Sequence, residues 1–125
     1  MSASDIKRLG RKFRKQVLDT SDRLGMDTAL IDKAAVRDVI LFLRDDEKMA
    51  YDFLRDVTCV DYLDRVPRFE VVYVLYSMSR KTQVVIKAAV PADDTTLDSI
   101  SDLYGCANWA EREVWDMYGI SFKGH

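Results

Sequence analysis

The sequence predicts an α+β domain in two layers, with helices covering a mixed, mainly antiparallel sheet. Three observations predict it. Residues 68–76 and 82–90 are extended runs joined by a short polar link, which reads as a hairpin. Segments with the apolar spacing of a helix stand on either side of that pair, at 34–44 and 97–104. Residues 108–119 carry the start and stop signals of one more short helix.

The elements follow in chain order. Residues 4–16 have helical spacing, with Ser4 as cap and Ile6, Leu9, Phe13 and Val17 as a thin apolar stripe. Gly10 weakens that helix by about 1 kcal/mol relative to Ala. The first sixteen residues hold six basic side chains (Lys7, Arg8, Arg11, Lys12, Arg14, Lys15) and one acid, Asp5. With an overall charge of −2, the remainder is therefore strongly acidic. The expected organisation is a basic N-terminal helix, residues 1–18, followed by one α+β domain, residues 19–125. The basic helix reads either as an arm for nucleic acid, anionic lipid or an acidic partner, or as a solvated helix docked by its thin stripe.

Thr28 to Asp32 is a short strand, with Asp32 ending it and capping the helix Ala34 to Arg44. Val36, Val39, Ile40 and Leu43 give that helix a broad apolar face. Residues 47–52 suggest one more helical turn. From Phe53 to Tyr62 the pattern is extended. Pro67 starts the clearest strand, Arg68 to Tyr76, with apolar residues on both faces, as expected of a central strand. Thr82 to Val90 returns, and Pro91 with Asp93-Asp94 ends it. Thr95 with Asp98 forms a capping box for a helix through Leu97, Ile100, Leu103 and Tyr104, stopped at Gly105.

The last element carries the densest signals. Asn108 is the expected N-cap, Glu111 the capping-box acid, and Gly119 the left-handed stop. Ile120 is expected to pack back on Trp115, which makes Trp115 structural. Ala110, Val114, Met117 and Tyr118 form the expected core face. Trp109, Arg112, Glu113 and Asp116 then point away from the core. A tryptophan among charges fits an ion-paired solvated surface, through an Arg112–Asp116 i,i+4 pair, or a surface for a partner, since Trp and Arg are common interface anchors. Residues 121–125 read as the beginning of a tail.

Composition narrows the classes. The 125 residues are 48% hydrophobic and 32% charged, which fits one globular domain rather than a disordered chain. No apolar run approaches the ~20 residues of a membrane span, and no secretory signal opens the sequence, so cytosolic expression is the expectation. Two isolated cysteines, Cys59 and Cys106, and one histidine, His125, cannot supply a zinc or iron–sulfur ligand set. No glycine-rich phosphate loop or dinucleotide fingerprint is present. Glu113 and Asp116 share a face, but Arg112 beside them favours ionisation, the opposite of what a general acid needs at neutral pH. No nucleophile is paired with a base. No catalytic, cofactor-binding or metal site is therefore expected.

Trp109-x-Glu111-Arg112-Glu113-x-x-Asp116-x-x-Gly119-Ile120, followed by Phe122-x-Gly124-His125, closely resembles the motif of the 30 kDa, NuoC-type subunit of respiratory complex I. Val60-Asp61-Tyr62, Pro67 to Tyr73 and Leu75-Tyr76-Ser77 resemble that family's central strands, so the likeness spans residues 50–125 well and 25–50 loosely. The resemblance implies a NuoC-like fold with its sheet covered by helices on one side. It also implies a scaffold subunit of a proton-translocating NADH:quinone oxidoreductase, bracing the NuoD-type and NuoB-type subunits that form the quinone site. NAD, FMN, iron–sulfur clusters and quinone would belong to those and other partner subunits. The location would be peripheral, on the cytoplasmic face of the inner membrane, or the matrix side if mitochondrial. In the family a longer tail continues past this point and wraps over the neighbour; here that tail is expected to be absent or truncated. Related subunits of F420H2 dehydrogenases and membrane-bound hydrogenases are the alternative, although Glu111-Arg112-Glu113 favours the respiratory branch. A stand-alone adaptor or nucleic-acid-binding domain using the basic helix is the rival of another class.

Overall fold

The computed structural model describes residues 2–22 and 25–125. Helix α1, Ser2–Lys12, leads into strand β1, Val17–Ser21, and strand β2, Thr28–Ile31. A 3-10 turn, Lys33–Ala35, opens helix α2, Val36–Asp45. Three nine-residue strands follow: β3, Phe53–Asp61; β4, Phe69–Ser77; and β5, Thr82–Val90. Strand β6, Thr96–Asp98, helix α3, Ala107–Tyr118, and strand β7, Ser121–Lys123, complete the chain.

The main sheet has five strands in the order β1-β2-β5-β4-β3. Every pairing is antiparallel except β2 with β5, which is parallel. The expected mixed, mainly antiparallel sheet is thus present, and β4 is an interior strand between β5 and β3, as its two-sided apolar pattern predicts. Phe69, Val71, Tyr73, Leu75 and Ser77 of β4 are buried, while the alternate residues are half-buried. One face therefore carries the core and the other is partly open to water. The core face is covered by Ile6 and Leu9 of α1, by Val36, Val39, Ile40 and Leu43 of α2, and by Ala107 and Val114 of α3.

The basic helix is short, ending at Lys12, and Val17 opens β1 rather than closing the helical stripe. It is held to the body by more than its apolar residues. Asp5 is buried, accepting from the Tyr51 hydroxyl at 2.6 Å and pairing with the Arg80 guanidinium at 2.8 Å. Arg80 also donates to the Met49 carbonyl. Tyr51 is fully buried, and its own carbonyl accepts from the Tyr104 hydroxyl at 2.6 Å. A carboxylate this enclosed is tolerable because both oxygens are matched by donors. Residues 47–49 form a turn rather than a helical turn, and Ala50 takes a left-handed φ of 48° before the chain straightens into β3.

The helix expected over 97–104 does not form. Thr96–Asp98 instead pairs in parallel with Ser121–Lys123, so those last residues are a strand rather than the beginning of a free tail. The Thr95 carbonyl accepts from Ser121 N–H at 2.7 Å, and Ser99 N–H donates to the Lys123 carbonyl at 2.8 Å. Ile100 N–H goes to the Glu111 carboxylate at 2.8 Å. Donors committed to partners outside the segment cannot enter a helical ladder, and long-range pairing overrides the local capping signal. Only the turn from Ile100 to Tyr104 keeps helical character, through bonds from Leu103 and Tyr104 N–H to the Ile100 carbonyl.

Candidate partner interface

Helix α3 begins one residue before Asn108. The flanking residue is Cys106, with no side-chain cap, and Asn108 is an exposed residue of the first turn. The expected Asn108 cap is therefore not used. The Cys106 thiol donates to the Leu54 carbonyl at 3.4 Å, and Ala107 N–H bonds the Tyr104 carbonyl at 3.0 Å, so the turn before the helix supplies its start. At the other end Gly119 adopts φ 73°, ψ 17°, and its N–H returns to the Trp115 carbonyl at 2.9 Å. The glycine stop is as expected, because a side chain there is strained.

Glu111 differs most from its expected role. It does not reach back to the helix start. Its side chain is fully buried and accepts from the Ser99 hydroxyl at 2.6 Å and from Ile100 N–H at 2.8 Å. Burial holds its carboxyl above the usual range, against the lowering effect of those two hydrogen bonds. Glu111 is thus the tie between α3 and the segment after β6.

That tie also turns the helix. The buried residues of α3 are Ala107, Glu111 and Val114, with Ala110 and Tyr118 half-buried. Met117, expected in the core, is 63% exposed. Measured from the direction of Ala107, Met117 lies about 80° to one side and Trp115 about 80° to the other. Trp115 is 54% exposed, so its ring is not the buried partner of Ile120, although Ile120 itself is fully buried.

The outward face carries Trp109, Arg112, Glu113 and Asp116, all exposed, with Trp109 at 74%. The Arg112–Asp116 pair expected of a self-satisfied surface is not closed: among the described residues, no ion pair includes Arg112, Glu113 or Asp116. The contrast within the molecule is sharp. Arg37 grips Asp102 at 2.6 and 2.7 Å, and Arg68 grips Asp61 at 2.8 and 2.9 Å. Trp109, Glu113 and Met117 succeed one another at i, i+4 and i+8 and form one stripe.

Two depressions flank this helix. On the Trp115 side a cleft of about 380 Å³ is lined by Arg112, Trp115, Ser121, Phe122 and His125. His125 Nε2 lies 2.9 Å from the Asn108 carbonyl and closes its end. On the Met117 side a groove of about 200 Å³ runs between α3 and β3. The sequence did not mark this groove; Met117 would have signalled it had Glu111 been assigned to the inner face. Among the described residues no cluster of three His, Cys, Asp or Glu side chains is arranged to hold a metal, and no helix is long and apolar enough to cross a membrane. Cys59 and Cys106 are free thiols, Cys59 pushed up to about 11 by burial.

This α+β domain turns outward from one helix two large aromatic rings and charges that have no ion-pair partner among the described residues, residue types that interfaces favour. Residues 29–125 match the family model described as respiratory-chain NADH dehydrogenase, 30 kDa subunit. The chain is 41% identical over 120 residues to the C subunit of NADH-quinone oxidoreductase from Citrifermentans bemidjiense, covering 96% of this chain and 73% of that one. It is 36% identical over 124 residues to the corresponding protein of Roseiflexus sp., covering 99% and 71%. A solved structure of a trypsin-resistant fragment of Nqo5 superposes with a TM-score of 0.86 at 29% identity, over 100% of this chain and 98% of that one. A chain of the archaeal membrane-bound sulfane sulfur reductase shares the fold, with a TM-score of 0.82 at 21% identity, over 98% of this chain and 71% of that one. This chain belongs to the 30 kDa subunit family of respiratory-chain NADH dehydrogenase, and its place is within an NADH-quinone oxidoreductase complex.

Proposed function

We propose that this chain is a scaffold subunit of the peripheral arm of a proton-translocating NADH:quinone oxidoreductase. Its role is to brace the NuoD-type and NuoB-type subunits, and it performs no chemistry of its own. NAD, FMN, iron–sulfur clusters and quinone reside on partner subunits, and the chain sits on the cytoplasmic side of the membrane through those partners. The observation that carries this reading is the outward face of α3. There Trp109 is 74% exposed, among charged side chains that have no ion-pair partner among the described residues. Burying a ring of that size against a partner is worth several kcal/mol at about 25 cal/mol per Å². Arg112 and either Glu113 or Asp116 are free to form charge-assisted hydrogen bonds across the contact.

The basic helix supports this reading over a detachable nucleic-acid-binding arm. Asp5, Ile6 and Leu9 are buried, so α1 is part of the folded body. The test is recovery of the complex in mild detergent through a tag on this chain. Trp109→Ala with Arg112→Ala is expected to lose the NuoD-type subunit while the chain keeps its unfolding midpoint. Retention of that subunit by the double variant overturns the reading.

A further inference from the structure

The link between β3 and β4, Tyr62 to Arg68, inverts the usual division of a surface loop. Its polar groups are committed to the body of the hairpin. Arg68 grips Asp61 across the base with two bonds, at 2.8 and 2.9 Å. Tyr62 N–H donates to the Arg68 carbonyl at 2.7 Å, and Arg65 N–H donates to the Tyr62 carbonyl at 2.7 Å, which closes a turn. The Arg65 guanidinium lies over the Tyr62 ring, 4.2 Å from its centre. The apolar side chains face water instead: Val66 is 97% exposed and Leu63 72%. One exposed apolar residue needs no explanation. Two of them on a loop pinned at its base and in its turn differ, because little conformational freedom is left to lose when they are buried.

The loop stands at the end of the sheet toward which α3 runs. Tyr118, the last residue of α3, meets Phe69, the first residue of β4 after the loop, edge to face with ring centres 6.4 Å apart. Met117, 63% exposed, therefore carries the outward stripe of α3 toward the end where Leu63 and Val66 stand. The charges of the loop are unequal in their commitments. Arg68 is held by Asp61, and Arg65 is laid over a ring. Asp64 is exposed and in no ion pair among the described residues.

We propose that Leu63 and Val66 are seated in an apolar socket of the same partner subunit that covers α3, with a Lys or Arg on the rim of that socket facing Asp64. Apolar anchors in a pocket carry most of the energy of such a contact, and a rim charge sets its orientation and rate of formation. The inference rests on the outer face of α3 being covered by another polypeptide, and it gives that contact a second anchor at the end of the sheet. An anionic membrane surface fits the tip less well. Apolar side chains that enter a membrane surface work with basic neighbours. Here Asp61 and Asp64 offset Arg65 and Arg68, so the loop has no net positive charge.

The experiment is photo-crosslinking from a benzophenone amino acid at position 66, and separately at position 109, in the detergent-purified complex, together with a Leu63→Ser/Val66→Ser variant. The expected result is an adduct from position 66 to the same subunit that position 109 reaches. The variant is expected to keep its urea midpoint as an isolated chain and to leave the complex at least about tenfold faster. Asp64→Lys is expected to weaken retention by an amount that shrinks as salt is raised. An adduct from position 109 with none from position 66, or one from position 66 to another subunit or to lipid, overturns the socket while sparing the α3 contact. Departure of the double variant at the parental rate does the same. An Asp64→Lys effect that is absent or indifferent to salt overturns the cationic rim. No adduct from position 109 counts against the α3 contact itself. An adduct from position 66 in the isolated chain, at the mass of a dimer, assigns the tip to a second copy and overturns the partner socket.

Discussion

Replacing Glu111 by alanine separates the role its sequence position suggests from the role its contacts define. A capping-box acid is worth about 1 kcal/mol and sits at the surface. The observed Glu111 is fully buried, with bonds from Ser99 Oγ and Ile100 N–H at 2.6 and 2.8 Å. A hydrogen bond to a charged group contributes about 1.5–3 kcal/mol, and a buried donor left unpaired costs about 1–3 kcal/mol. The Ser99 hydroxyl has a second acceptor, Ser101 Oγ at 2.8 Å, so part of the loss is recovered. The Ile100 amide has no such replacement, and the missing side chain leaves a hole besides. Glu111→Ala should therefore lose about 3 kcal/mol, roughly 10 °C in midpoint for a domain of this size. Urea unfolding at neutral pH measures the first, and exchange at the Ile100 amide shows where the loss falls. A loss of about 1 kcal/mol or less with unchanged Ile100 exchange would refute the reasoning.

Other outcomes follow from the same contacts. Because burial raises the Glu111 carboxyl above its ordinary value of about 4.3, its charged form is disfavoured in the folded chain. Its contribution is fully favourable below that ordinary value and is lost as pH rises through the folded one; a Glu111→Gln variant should show a flatter stability–pH curve above about pH 4 in urea titrations. Arg80→Ala strips Asp5 of its ion-pair partner, leaving only the Tyr51 hydroxyl, and should cost about 3 kcal/mol and release α1 to limited proteolysis before the sheet is cut. Gly119→Ala forces a side chain into φ 73° and should cost about 1–2 kcal/mol by thermal unfolding. Phe53→Lys places a charge at a 47% exposed position on the start of β3 and should leave the isolated chain within about 0.5 kcal/mol of the parent.

Where local signals and long-range partners agree, the sequence foretells the structure. The alternation over 68–76 and 82–90 matches β4 and β5 because the buried face there is set by period alone. Asp32 caps as expected, its side chain accepting from Ala34 N–H at 3.0 Å, and Gly119 stops α3. Three of the failures share one physical origin, a bond to a residue distant in sequence. Thr95–Tyr104 reads as a helix until its amides find Lys123 and Glu111. Glu111 reads as a cap until it is seen to be buried, and that single carboxylate shifts the inner face of α3 far enough to expose Met117. Val17 reads as helical until it pairs with Ile31. The outward set of Trp109, Arg112, Glu113 and Asp116 was legible because it follows from the helix alone. The groove along β3 was not, because it needs the position of α3 against an edge that only the sheet order reveals.

Whether another polypeptide covers α3 is answered by photo-crosslinking from a benzophenone amino acid placed at position 109 in the assembled complex. The expected product is an adduct between this chain and the NuoD-type subunit, lost when Arg112 is also replaced by alanine. Adducts formed only within this chain, or none while a control position elsewhere on the surface reacts with a neighbour, would show that the helix is not a docking face.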